Sequence, residues 1–267
     1  MIQGQDVIIQ RINSKTLDSF PRSLMLVGDL GSGKHQICNY ISKKFSLNQI
    51  DITNNLDVDF IEELYNRVEP YLYTIRINEL SIKDENSILK FIEEPLKNSF
   101  IVLIAETTNG LLSTIVNRCQ IWYLQNYTTD ILKQFLEGAN EKILEVATTP
   151  GQILALKEEP FEDMIHLADT IITKIKFASV ANTLTLSNKM AFNENDTKKF
   201  NLKLFVDVLL ARIVSHWRNQ SDRSLVAAYA ITSKFKIDLK NKNFDSKYLF
   251  EHYLIELRRV MIEGNIK

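Results

Sequence analysis

Residues 81–122, SIKDENSILKFIEEPLKNSFIVLIAETTNGLLSTIVNRCQIW, constrain the fold more than any other stretch of the chain. Ser81 with Asp84 three residues on has the form of a capping box, so a helix is predicted to start there. Ile88, Leu89 and Ile92 recur at helical spacing, and Pro95 ends the run. Phe100 to Ala105 is short and continuously apolar, which suits a parallel strand covered on both faces. After a loop, Asn117-Arg118-Cys119 turns into a further strand over Ile121 to Leu124. Helix, stop, buried strand and return strand make a unit of an α/β fold.

A second such unit lies upstream. The first 20 residues read as a helix with Val7, Ile8 and Ile12 on its apolar face. Ser23 to Val27 reads as a buried strand, Gly28 to Lys34 as a turn, and Ile37, Ile41 and Phe45 as the stripe of a helix. Strand, glycine-rich turn and helix is the context that a phosphate-binding loop requires, and Gly28 to Lys34 fits GxxxxGK. Gly28, Gly31 and Gly33 let backbone N–H groups curl round phosphate oxygens, with Ser32 between them and the helix N-terminus behind. Lys34 is expected to reach the β- and γ-phosphates. The next residue, however, is His35, where a working loop carries Ser or Thr for Mg²⁺, and neutral imidazole is a poor ligand for that hard cation. These residues require no cofactor and build no metal site; they leave ATP or ADP binding open.

The combination Asn86, Ile88-Leu89-Lys90, Ile92-Glu93-Glu94-Pro95, Leu111-Leu112, Thr114-Ile115 and Asn117-Arg118-Cys119 resembles the AAA+ core of bacterial clamp-loader subunits. The family pattern there is Asn-Ala-Leu-Leu-Lys-x-Leu-Glu-Glu-Pro, then Leu-Leu-x-Thr-Ile-x-Ser-Arg-Cys. The resemblance covers residues 20–158 well and the remainder only by architecture. It implies an α/β AAA+ P-loop module with a five-stranded parallel sheet over 1–126, a small helical lid over 127–158 and an all-α collar for oligomerisation over 159–267. Counting back from Lys90 puts the family's Walker B acidic pair at Ile75 and Arg76, so the metal-holding Asp and the water-polarising Glu are both replaced. A shifted register would use Glu79 instead. Ala105, Glu106 and Thr107 stand where a polar sensor is expected, and Gln152, after Thr149-Pro150-Gly151, stands near the sensor-2 arginine; residues 119–211 hold no arginine. Phosphoryl transfer has thus lost its main charge-stabilising parts in this chain.

Arg118 is the family residue that remains. The resemblance implies that it acts in trans as an arginine finger, projecting into a neighbouring subunit's ATP site, where a planar, always-charged guanidinium contacts phosphate oxygens. Lost Walker B residues with a retained finger resemble the delta-prime branch of the DNA polymerase III loaders, whose role is a non-hydrolysing stator. The implied partners are motor ATPase and delta-like subunits in a hetero-pentamer, the sliding clamp, and primed DNA through the complex. The polymerase activity belongs to the holoenzyme. Two alternatives stay open: an ATP-hydrolysing AAA+ subunit using Glu79, and a purely structural AAA+ scaffold with Arg118 idle.

Composition excludes several other classes. No apolar run reaches the length of a membrane span and the N-terminus is polar, so a cytoplasmic protein is expected. Cys38 and Cys119, far apart and without a CxxC, fit a reduced compartment and no zinc site. Residues 159–267 carry 17 Lys+Arg against 13 Asp+Glu, and the rest 15 against 20, which is not the footprint of a stand-alone DNA binder. His166, His216 and His252 have no ligand spacing, and the helical stripes after Pro160, such as Leu204, Val208, Leu209, Ile213 and Trp217, read as bundle packing.

Overall fold

The computed structural model describes residues 3–56, 58–65, 69–94, 99–186, 200–239 and 245–264. They fall into two compact units, Met1–Gln134 with Thr149–Gly151, and Phe135–Thr148 with Gln152–Lys267.

The first unit is built on five parallel strands, β1 (Ser23–Val27), β2 (Asn48–Asp51), β3 (Tyr71–Arg76), β4 (Phe100–Ala105) and β5 (Gln120–Tyr123), in the order β2-β3-β4-β1-β5. Every residue of β1 and β4 is buried, as expected of central strands covered on both faces. The two-residue alternation of side chains sorts the core. Leu24, Leu26, Val102, Ile104 and Trp122 face α1 (Asp6–Asn13) and α2 (Lys34–Phe45). Met25, Val27, Tyr73, Ile75, Ile101 and Leu103 face α3 (Val58–Tyr65), α5 (Leu89–Glu93) and α6 (Ser113–Val116), with α4 (Ile82–Ser87) leading into α5.

Two helices differ from the sequence reading. The first stops at Asn13, because Thr16 and Ser19 bond to each other's backbone and compete with the helical ladder. The helix from Ser81 does start with a capping box, Ser81 Oγ accepting from the Asp84 N–H. It then breaks at Ile88 into α4 and α5. Asn86 and Ser87 donate side-chain bonds to the Ile82 and Lys83 carbonyls at 2.8 and 3.1 Å, a back-bonding that bends helices. The stop at Pro95 lies outside the described residues.

Helix α7 (Thr129–Gln134) belongs to the first unit; α8 (Pro150–Glu158) starts there and runs on into the second. The second unit packs α9 (Phe161–Lys174), α10 (Val180–Leu186), α11 (Leu202–Gln220), α12 (Arg223–Asp238) and α13 (Ser246–Glu263). Asn201, Asp222 and Asp245 cap the last three through side-chain oxygens. Phe235 stacks on Tyr253 at 4.4 Å, and the Tyr253 hydroxyl bonds Thr232 at 2.7 Å, so the ring is buried with its polar atom satisfied. Trp217, read from sequence as a packing residue, is 46% exposed. No helix among the described residues is long and apolar enough to cross a membrane.

Asp169 on α9 accepts from Arg212 Nε (2.8 Å) and Nη2 (3.1 Å) and meets His216 Nε2 at 3.0 Å, both partners on α11. Partial burial pushes its carboxyl up, but the hydrogen bonds and charges of Arg212 and His216 outweigh that and hold it below the ordinary value. A depressed carboxyl adds stability above its unfolded value of about 3.9, and loses it as pH falls through the folded value. The urea midpoint of the second unit is therefore expected to fall with acid between about pH 5 and 2, and less steeply in Asp169→Asn. Equal acid slopes for wild type and variant would show that the triad contributes nothing.

Candidate functional site

The loop after β1 has the backbone of a phosphate cradle. Gly31 (φ 78°) and Gly33 (φ 91°) take left-handed conformations that a residue with a Cβ rarely adopts. Lys34 opens α2, but its ammonium does not point out to receive phosphate. It donates to the loop's own carbonyls, those of Gly28 and Asp29 (2.8 Å to the latter), and lies 3.4 Å from Ser32 Oγ, with the residue 7% exposed. His35 is exposed.

Three further residues bind the loop from outside. The Tyr127 hydroxyl donates to the Ser32 carbonyl at 2.8 Å, Thr149 Oγ1 to the Leu30 carbonyl at 2.7 Å, and the Gly151 N–H to the Gly31 carbonyl at 3.1 Å. Gly151 is so close that a Cβ on it would stand 2.4 Å from the Gly31 α-carbon. The carbonyls of residues 28–32 all have donors from this chain, and the start of α8 fills the space beside Gly31. Sequence reasoning singled out Thr149-Pro150-Gly151 as a turn but missed this contact, which spans some 120 residues and has no local signal; Tyr127 it missed altogether.

At the end of β3, where the resemblance puts the Walker B acids, stand Ile75 and Arg76. Ile75 is fully buried opposite Leu103 and has no side-chain oxygen. Arg76 donates its N–H to Thr53 Oγ1 at 2.9 Å, and its guanidinium lies 3.4 Å from both Asp51 and Glu79. Glu79, the acid of the shifted register, is therefore paired with a cation. Asn78 Oδ1 accepts the Glu106 N–H at 2.7 Å, tying the end of β4 to the turn after β3. Gln152 accepts from the Thr148 N–H and hydroxyl at 2.8 and 3.0 Å. Among the described residues no three His, Cys, Asp or Glu gather as metal ligands. The residues present do not fit Mg²⁺: an exposed imidazole, an isoleucine and a carboxylate held by arginine.

Arg118 stands elsewhere on the same unit. Leu24 on β1 pairs with Gln120 on β5, so Arg118 lies just outside the edge where the parallel strands begin. The glycine loop leaves β1 at the opposite edge, about 15 Å away for a strand of this length. Arg118 follows α6, whose entry is fixed by the buried Glu85 carboxylate accepting the Leu112 N–H at 3.2 Å. Nη1 donates to the Thr114 carbonyl at 2.8 Å and Nε pairs with Glu93 of α5. The two side chains are 38% and 42% exposed. Cys119 beside it is only partly buried against the core, and burial pushes its thiol up to about 12.

A family model described as DNA polymerase III, delta subunit, matches residues 75–128, from the end of β3 through Arg118 to Thr128. The DNA polymerase III subunit delta' of Haemophilus influenzae is 27% identical over 114 residues, 41% of this chain and 34% of that protein. The subunit of the same name from Bacillus subtilis is 46% identical over 50 residues, 18% of this chain and 15% of that protein. The matched stretch thus spans about a third or less of these curated relatives. Among solved structures, a DNA polymerase III, gamma subunit-related protein from Thermotoga maritima shares the fold, with a TM-score of 0.54 and 14% identity over 97% of this chain and 100% of that one.

Proposed function

We propose that this chain, a clamp-loader-like AAA+ protein related to delta prime, is a non-hydrolysing stator subunit that supplies Arg118 to the ATP site of a neighbouring motor subunit. The observation that carries this reading is the placement of Arg118. It is exposed at the edge where the strands begin, a full strand length from the loop of its own chain, so any phosphate it meets belongs to another subunit. The state of that loop supports the same division of labour. Lys34 is spent on backbone carbonyls, Ile75 offers no oxygen and Glu79 is paired with Arg76. Hydrolysis then takes place on the neighbour, where the guanidinium stabilises charge developing on the transferred phosphoryl group without needing a working site behind it. The partners that follow are motor ATPase and delta-like subunits in a hetero-pentamer, the sliding clamp, and primed DNA reached through the assembly.

The test is clamp loading and ATP turnover by the reconstituted loader with and without this chain, and with Lys34→Met. Omission is expected to abolish loading, the isolated chain to turn over no ATP, and Lys34→Met to leave the assembled loader's turnover unchanged. ATP hydrolysis by the isolated chain that Lys34→Met abolishes would establish the hydrolysing alternative in its place. Unchanged loading without the chain would remove it from the machine altogether.

A further inference from the structure

We infer that Glu93 is the positioning residue for Arg118, holding the guanidinium in the orientation in which a neighbouring subunit's phosphate meets it. The inference rests on the trans reading of Arg118 and deepens it.

An exposed arginine has four flexible torsions, and ordering it costs rotamer entropy. An arginine that must meet a phosphate on another molecule gains from having been ordered beforehand. Here an ion pair and a hydrogen bond hold the guanidinium. Glu93 takes Nε from α5, and the Thr114 carbonyl takes Nη1 from α6. Both anchors are themselves held. The Ile92 carbonyl accepts from Ser23 Oγ at 3.0 Å, which ties α5 to β1 next to Glu93. The N-terminus of α6 is held by Glu85 and its Ile115 is fully buried. Glu93 thus sits on a short helix pinned to the sheet, one residue from Phe91-Ile92 in the core.

Beyond the bond from Nη1 to Thr114, neither Nη1 nor Nη2 donates a further hydrogen bond among the described residues. Those donors form the end of the fork that engages two phosphate oxygens at once. Glu93 comes closest at Nε, the inner end of the fork, and the arginine side chain stays 38% exposed. The carboxylate also offsets part of the positive charge, but at an exposed pair solvent and salt screen that loss. Orientation is the larger effect, and it sets the sign of the test.

The test is single-turnover ATP hydrolysis by the full reconstituted loader carrying Glu93→Ala, Glu93→Gln, Arg118→Ala or the double variant Glu93→Ala/Arg118→Ala. Glu93→Ala is expected to lower kcat roughly ten-fold with the apparent KM for ATP unchanged, less than the hundred-fold that a 1 Å misplacement can cost. Glu93→Gln, which keeps an acceptor for Nε, is expected to fall between it and wild type. In the double variant, loss of Glu93 is expected to add nothing to loss of Arg118, because it acts only through that side chain. Wild-type or faster turnover by Glu93→Ala with a slow Arg118→Ala would overturn the positioning role alone. A further loss from Glu93→Ala on the Arg118→Ala background would also overturn it, since Glu93 would then act through the fold. Wild-type turnover by Arg118→Ala would remove the trans finger and this inference with it.

Discussion

Arg118→Ala is expected to slow ATP hydrolysis on the order of a thousand-fold at the neighbouring site that we propose this chain completes, with the assembly intact. Arginine fingers contribute about 10³ to 10⁵ in rate, and the lower end applies here because Arg118 is substantially exposed, where solvent and salt screen its charge. Folding is spared for the same reason. The side chain contacts a half-exposed carboxylate and a helix-end carbonyl, and losing such an exposed pair costs about 1 kcal/mol or less. Arg118→Lys separates charge from shape. An ammonium restores the charge but not the planar fork, so its turnover should lie well below wild type and above alanine. The measurement is single-turnover hydrolysis in a loader whose other ATP sites are inactivated, alongside the size of the assembled complex. Full turnover by the alanine variant in an intact complex would leave a scaffold whose arginine is idle.

The sequence made the skeleton of this molecule legible and left the state of its loop hidden. Phe100 to Ala105 and Ser23 to Val27 are apolar at every or nearly every position, and both are central strands at those bounds. The Ser81–Asp84 capping box was readable because all its atoms lie within four residues. The break at Ile88 had a local cause too, in Asn86 and Ser87, but a side chain that bonds back to a helical carbonyl looks in sequence like any polar surface residue. GxxxxGK announces a loop able to curl round phosphate; it does not say which way Lys34 points. Lys34 turns to the carbonyls of Gly28 and Asp29, while those of Leu30, Gly31 and Ser32 take donors from Thr149, Gly151 and Tyr127, distant in sequence. Glu93 and Arg118 were each visible within a long motif, and their pairing was not, since 25 residues and a strand separate them.

That hidden contact at the loop has a stability consequence. Gly151→Val is expected to destabilise the first unit by about 2 to 4 kcal/mol, the sum of an overpacked backbone contact and weakened hydrogen bonds. The new Cβ would stand 2.4 Å from the Gly31 α-carbon and 3.0 Å from its carbonyl oxygen, and backbone, unlike a flexible side chain, cannot rotate away. Gly31 in turn is fixed by its left-handed φ of 78°. The first residues of α8 must therefore lift, straining the Gly151 N–H bond to Gly31 and the Thr149 hydroxyl bond to Leu30. Gly110→Ala isolates the opposite effect. Gly110 has φ 83° and nothing within 4 Å of a built Cβ, so its cost is conformational alone, about 1 to 2 kcal/mol. Thermal unfolding should lower Tm by roughly 2 to 4 °C for each kcal/mol, so the valine variant falls well below the alanine one. If the two unfold together, α8 does not bear on the loop, and its carbonyls are held closed by Lys34 and Tyr127 without it. If Gly151→Val is the weaker variant and also gains affinity for ATP, then the start of α8 is what keeps phosphate out of a loop whose backbone could still receive it.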